Sequence, residues 1–248
     1  MRRHVRNAGI ALLAIASLAS RAATTAALAQ SSPPTVPAAQ CGINFRWLNN
    51  AGFELVLSSG AHVLIDPWLD SAKQNPVPLS QIERADYMLV THIHFDHAED
   101  VGVVQKKFPG VRIFTGMLSA EPLARWHNLD VSRLYKVIDG QEFRFDDVAI
   151  KAIAGRHTEA NRGNALKWEA DGRLHRDSVG LLDLYQYLVT DTDGTKFLIW
   201  GGTPSVDNVY RLAGMKPDIA AVHISPKQDF AILSRMINEL QQIGRAHV

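Results

Sequence analysis

The sequence predicts an α/β fold of two β-sheets, each backed by helices. Strand-like and helix-like stretches alternate from about residue 45 to residue 242, the order that layers helices onto sheets. At 248 residues, 46% of them apolar, the chain can bury a sizeable core. The first strand-like runs are short and separated by turn signals, Asn49-Asn50-Ala51-Gly52 and Ser58-Ser59-Gly60.

Residues 1–29 read as a secretory signal peptide. Met1-Arg2-Arg3-His4-Val5-Arg6 is basic, and 10–19 is apolar but too short to span a bilayer. Ala27-Leu28-Ala29 then sets small residues at a cleavage point after Ala29. Residues 30–41 follow as a Pro-rich linker, and 42–242 as the folded domain. The mature protein is therefore expected to be periplasmic or secreted, with no stable membrane anchor after signal cleavage. Cys41 is the single cysteine, which excludes an internal disulfide and a cysteine-based zinc site. Any metal must be held by histidine and carboxylate. The formal charge of +1 and the lack of a basic patch with interleaved aromatics predict no nucleic-acid partner.

Strand-like runs cover 45–48, 53–58, 62–66 and 86–90. A helix is expected over 99–108, closed by Pro109-Gly110, then a strand over 111–114 and a helix over 120–127. Residues 143–153 alternate like strands, while 180–190 and 196–200 form a strand pair turned at Asp193-Gly194. A helix over 206–212, a strand over 219–224 and an amphipathic helix over 230–242 complete the order. Leu233, Met236, Ile237 and Leu240 share one face of that last helix, which should lead into a further strand. Instead residues 243–248 back-translate to the start of a common sequencing adapter, and are set aside as foreign to the gene. Residues 158–177 are a long polar stretch, of the kind that often carries function.

Thr91-His92-Ile93-His94-Phe95-Asp96-His97 concentrates three of the chain's ten histidines at the end of a strand. His92 and His94 are two apart, so extended backbone sends their rings to one side. Neutral imidazoles and a carboxylate suit zinc, with iron or manganese as alternatives.

The heptad resembles the H-x-H-x-D-H motif of the metallo-β-lactamase-fold hydrolase superfamily. Residues 45–69 and 188–205 are similar to the opening hairpin and a later strand pair of the branch containing ascorbate-phosphate lactonase-like hydrolases. The resemblance implies an αββα sandwich of two mixed sheets flanked by helices, with metals at one edge and, in this chain, the last strand missing. It implies that His92, His94 and His157 hold a first metal, and that Asp96 and His97 hold a second. His157 follows the predicted strand through Ile153, where the family places such a ligand. Asp66, in Ile65-Asp66-Pro67, is expected to orient a ligand or the motif loop.

Three departures accompany the likeness. Asn49-Asn50 stands where the branch usually has Gly-His. Gly201-Gly202-Thr203 stands where it has a Gly-Asp-Thr turn whose aspartate bridges the metals. The family's last histidine has no counterpart, because His247 lies in the excluded tail and His223, inside an apolar strand, reads as structural. Asp207 falls on the following helix and is not a substitute.

The expectation is a secreted hydrolase that uses one or two zinc ions to generate hydroxide at neutral pH and cleave an ester, lactone, amide or phosphoester. Asp96 is expected to orient the water and carry its proton. Arg162, Lys167, Trp168 and Arg173 are expected to border the site and favour a small anionic substrate. Two alternatives remain open at this point: a metallo-phosphodiesterase or nuclease of the same fold, and a non-catalytic metal-binding relative.

Overall fold

The structure is a computed structural model that describes residues 11–16, 42–157, 167–172, 174–175, 182–203, 205–212, 214–224 and 229–241. One sheet runs in the order β1 (Ala11–Ala16), β12 (Ile219–Ile224), β11 (Lys196–Trp200), β10 (Tyr185–Asp191), β9 (Val148–Ala154) and β8 (Glu142–Arg144). The other runs β2 (Asn44–Asn49), β3 (Gly52–Val56), β4 (His62–Ile65), β5 (Tyr87–Leu89), β6 (Arg112–Gly116) and β7 (Leu134–Val137). Both mix parallel and antiparallel pairs. The helices are α1 (Phe95–Ala98), α2 (Val101–Lys107), α3 (Ala120–His127), α4 (Val206–Leu212) and α5 (Phe230–Gln241).

Strand alternation builds three apolar layers. Phe53, Leu55, Val63, Ile65, Tyr87 and Leu89 meet Ile150, Ala152, Tyr187, Val189, Phe197 and Ile199 between the sheets. The opposite faces of β4 and β5 send Leu64 and Met88 against Val101, Val104 and Leu123 of α2 and α3. Leu188, Leu198 and Trp200 likewise pack on Val209, Leu212, Leu233 and Met236 of α4 and α5. Helix, sheet, sheet, helix is the αββα sandwich. Trp200 is fully buried, and its truncation to alanine should cost about 3–5 kcal/mol.

Several boundaries differ from the sequence reading. The helix expected over 99–108 is α2, and the separate turn α1 precedes it inside the motif. Asp100 separates them because its buried carboxylate accepts from Leu69 N at 2.6 Å, Ser71 N at 3.1 Å and Ser71 Oγ at 2.6 Å. Its backbone, at φ −97° and ψ 6°, leaves the helical region. Residues 143–153 divide into β8 and β9, joined by a tight turn in which Phe145 N donates to Val148 O at 2.8 Å. β7 was not anticipated, since its half-exposed Leu-Tyr-Lys-Val carries a weak apolar pattern at the sheet edge. β10 begins at Tyr185, and residues 180 and 181 lie outside the described residues. The strand expected after the last helix falls outside the described residues. The outer side of β12 pairs with β1, from within the segment read as a signal peptide, with Ala11 opposite Ile219 and Ala16 opposite Ile224.

Topology gathers chemistry at one edge. β9 and β11 both run antiparallel to β10, and β12 is parallel to β11, so β9, β11 and β12 all end at the same side.

Candidate metal centre

His92 and His94 leave the end of β5, and His157 leaves the end of β9. The three residues offer ring nitrogens that lie within 4.8 Å of one another. Ring centroids are 4.8 Å apart for His92–His94, 5.0 Å for His92–His157 and 4.4 Å for His94–His157. These rings line a cavity of about 250 Å³ together with Asp96, His97, Asn50, Ala51, Gly201 and His223. All five histidine and aspartate ligands read from the sequence, His92, His94, Asp96, His97 and His157, therefore face one space.

The α1 turn explains how Asp96 and His97 enter it. His94, extended at φ −63° and ψ 151°, caps the helix, and His97 N and Ala98 N both donate to its carbonyl at 3.0 Å. Two consecutive residues of that single turn, Asp96 and His97, reach the cavity, with His97 Nε2 3.7 Å from Asp96 Oδ2.

Asp66 governs the orientation of the loop. It is fully buried, in the left-handed region at φ 45°, and it accepts Thr91 N at 2.7 Å and Thr91 Oγ1 at 2.6 Å. Its Oδ2 also lies 2.8 Å from His97 Nδ1. A carboxylate can only accept, so His97 carries its proton on Nδ1 and turns the lone pair of Nε2 outward. Thr91 Oγ1, having donated to Asp66, accepts from His92 Nδ1 at 3.1 Å. His92 is thus also fixed with Nε2 as the free ligand atom. That nitrogen lies 3.0 Å from His94 Nδ1.

The electrostatics fit a cation. Burial first, then the neighbouring rings of His97, His94, His157 and His223, hold His92 well below the ordinary histidine range. Burial, then His157, lowers His94 to about 4, against an opposing pull from Asp96. Both rings are neutral near pH 7 and present lone pairs. Burial also disfavours the charged form of His97, but the Asp66 charge and hydrogen bond, with Asp96, outweigh it and raise His97. Closely packed neutral imidazoles around a small cavity are the donor set of a borderline-soft divalent metal.

Asn50 takes the place of the branch's usual histidine and does different work. In the left-handed region at φ 43°, it donates through Nδ2 to Asp96 Oδ2 at 2.9 Å and Asp96 O at 3.2 Å. Asn49 ties the same turn to Trp68 O and Gln74 O. Gly202 has no side-chain donor, and the space for one is closed. A Cβ there would sit 2.7 Å from Arg156 O and 2.8 Å from Gln186 Nε2. Asp207 is exposed in the first turn of α4 and is not among the cavity-lining residues.

His223, read as structural, lines the cavity. Ala221 faces the sandwich interior while Ala220 and Val222 face the helices, so alternation brings His223 to the interior side at the end of β12. That period was visible in the sequence; the direction of the strand was not. Lys167 and Trp168 are exposed, with Trp168 bridged to Leu174, whereas Arg162 and Arg173 lie outside the described residues.

An αββα sandwich with a three-imidazole pocket at one sheet edge defines a metal-binding α/β class. The chain belongs to the family described as the beta-lactamase superfamily domain, whose profile matches residues 61–238. It is similar to a UPF0173 metal-dependent hydrolase of Koribacter versatilis, 41% identical over 66 residues, 27% of this chain and 28% of the relative. A UPF0173 metal-dependent hydrolase of Caldivirga maquilingensis is 40% identical over 162 residues, 57% of this chain and 70% of the relative. The match to the first of these therefore spans well under a third of its length. The crystal structure of a possible metal-dependent hydrolase from Veillonella parvula shares the fold, with a TM-score of 0.57 and 14% identity over 83% of this chain and 84% of that one.

Proposed function

We propose that this member of a metal-dependent hydrolase family binds zinc through His92, His94 and His157 and hydrolyses an ester, lactone, amide or phosphoester of a small molecule. The convergence of three ring nitrogens within 4.8 Å carries the reading. When bound, zinc supplies Lewis acidity, acidifying a water to a pKa of about 7 and polarising the scissile carbonyl or phosphoryl group. Iron or manganese would be held by the same donors.

The chain's own residues do the rest. Thr91 and Asp66 fix the His92 tautomer, so its ligand nitrogen is presented without rearrangement. Asp96, held on one oxygen by Asn50, keeps its other oxygen to accept the proton of the attacking water and pass it to the leaving group. Lys167, on the stretch after His157, favours an anionic substrate.

We also propose export, with cleavage after Ala29 to a periplasmic or secreted form. The basic start and short apolar run support it. Among the described residues no helix is long and apolar enough to cross a membrane. Cleavage would remove β1 and uncover the outer edge of β12. Amino-terminal sequencing of the protein from fractionated cells tests this, and a chain that begins at Met1 refutes it.

The test of function is a His92→Ala/His94→Ala variant assayed for metal content and against a panel of esters, lactones, amides and phosphodiesters. Loss of zinc and of any wild-type turnover is expected. Unchanged metal content refutes the assignment. The crowding at Gly202 favours a second reading, a non-catalytic metal-binding relative. Wild-type zinc binding with no turnover across the panel would select it.

A further inference from the structure

The helix-facing surface of the β8–β12 sheet changes character along its strands. Ile153, Leu188, Leu198 and Trp200 on that surface are buried under α4 and α5. Toward the starts of β9 and β11 the same alternation presents Lys151, Ala149 and Lys196, with Thr190 near the end of β10. Register sets these residues in rows. Arg144 of β8 stands opposite Ala149, Ala149 opposite Thr190, and Thr190 opposite Lys196. Lys151 lies in the next row, between Glu142 and Leu188. Two small residues therefore floor a groove with a cation at each end. Lys151 flanks it, and Arg211 of α4 closes another side, around a cavity of about 420 Å³. This groove shares no described lining residue with the metal cavity, which lies where β9 and β11 end.

The charges in the groove do not cancel. Glu142 is the single acid among its described lining residues, and it pairs with Arg144. Asp139, outside the lining, pairs with Arg211. Lys196 Nζ reaches the neutral Met215 O at 3.3 Å. Lys151 is half-buried and has no hydrogen-bond or ion-pair partner among the described residues. Two ammonium groups thus share one partly dehydrated cavity with no carboxylate of their own, which favours uptake of an anion.

We propose that this groove binds a diphosphate group, free or carried by a small molecule. Cations from β8, β9, β11 and α4 approach from different directions, which suits tetrahedral phosphoryl groups better than a planar carboxylate. Arg144 and Lys196 stand three strand spacings apart, roughly 14 Å between backbones, a row that two linked phosphoryl groups fill better than one. The cavity is of the size that small-molecule sites have. The inference is independent of the hydrolase reading, because it uses none of the metal-cavity residues.

The full chain is titrated calorimetrically with inorganic pyrophosphate and with methyl diphosphate, in wild type and in His92→Ala/His94→Ala. Both proteins should bind one equivalent at the groove, and the tighter probe identifies the form preferred. Lys151→Gln/Lys196→Gln should weaken binding by about tenfold or more while leaving metal content unchanged. Added NaCl should weaken it as well. Thermal melts check that the variants fold, and Arg144→Gln, on the exposed β8, decides the matter if the lysine pair does not. Absence of binding to either probe overturns the proposal. Binding that survives in folded Lys151→Gln/Lys196→Gln but disappears in His92→Ala/His94→Ala also overturns it, since the metal cavity then captures the probe. Tighter binding of a polyglutamate peptide through the same lysines overturns the diphosphate assignment in favour of an acidic protein segment.

Discussion

The end of β5 and the end of β11 sit at the same cavity but are built differently. At the end of β5, Thr91, His92 and His97 form a closed hydrogen-bonded set with Asp66, which follows β4. After β11, Gly201 N donates to Gln186 Oε1 at 2.9 Å, yet Gln186 Nε2 and Thr203 Oγ1 are buried with no partner among the described residues. Buried polar groups are ordinarily paired, and an unmade bond costs about 1–3 kcal/mol. The first region is organised to hold ligands rigidly. The second is a close-packed turn in which Arg156 O lies where a side chain at position 202 would have to sit, so no carboxylate fits there without a shift of backbone.

The contrast can be broken most forcefully at Asp66. Asp66→Ala strands Thr91 and His97 and should destabilise the chain by about 3–5 kcal/mol, read by urea unfolding. Metal affinity should drop roughly 10–100-fold. Asp66→Asn retains a residue suited to φ 45° and should fold better while still binding metal weakly, separating backbone strain from charge. Next in size is Gly202→Asp, which tests whether the lost carboxylate can simply be restored. Collision with Arg156 O should destabilise by about 1–3 kcal/mol without tighter metal binding.

A smaller effect follows from pH in the metal-stripped protein. His92, His94 and His223 have depressed folded-state pKa values, His94 at about 4. The unfolded chain, with histidine near 6.5, binds more protons between those values, so these rings lower stability as pH falls from 7 toward 5. His97 is raised and acts oppositely, its contribution being lost as pH climbs through its folded value. Three outweigh one, and the metal-free melting temperature should be lower at pH 5 than at pH 7. A melt that rises on acidification contradicts the burial of these rings. The smallest expected change is at the β11 turn. Thr203→Val replaces an unpaired hydroxyl with a methyl of the same shape and should be neutral or stabilising by up to about 1 kcal/mol. Destabilisation there would reveal a partner for that oxygen.

What the sequence disclosed depended on how far apart the interacting residues lie. The heptad was legible because its four donors are local and loop concentrations of imidazole are chemically unusual. The layered architecture was legible from alternation and turn residues, with α4 and β12 placed at their observed bounds. His157 could be placed because it follows a clear strand. His223 could not, because a polar residue in an apolar run looks structural until the neighbouring strand fixes which end meets the site. Asn50 was seen only as a departure, since its contact with Asp96 spans 46 positions. The early start of α1 was hidden because Asp100, not a glycine or proline, divides the helices, and it does so through Leu69 and Ser71 on a distant loop.

One carboxylate stands behind two of the cavity's rings, touching His97 directly and His92 through a single hydroxyl. A cation taken up by His92 would clamp that shared post and steady the His97 ring with it. Hydrogen exchange at Thr91 N should then slow when metal is added, well beyond the ring that holds it.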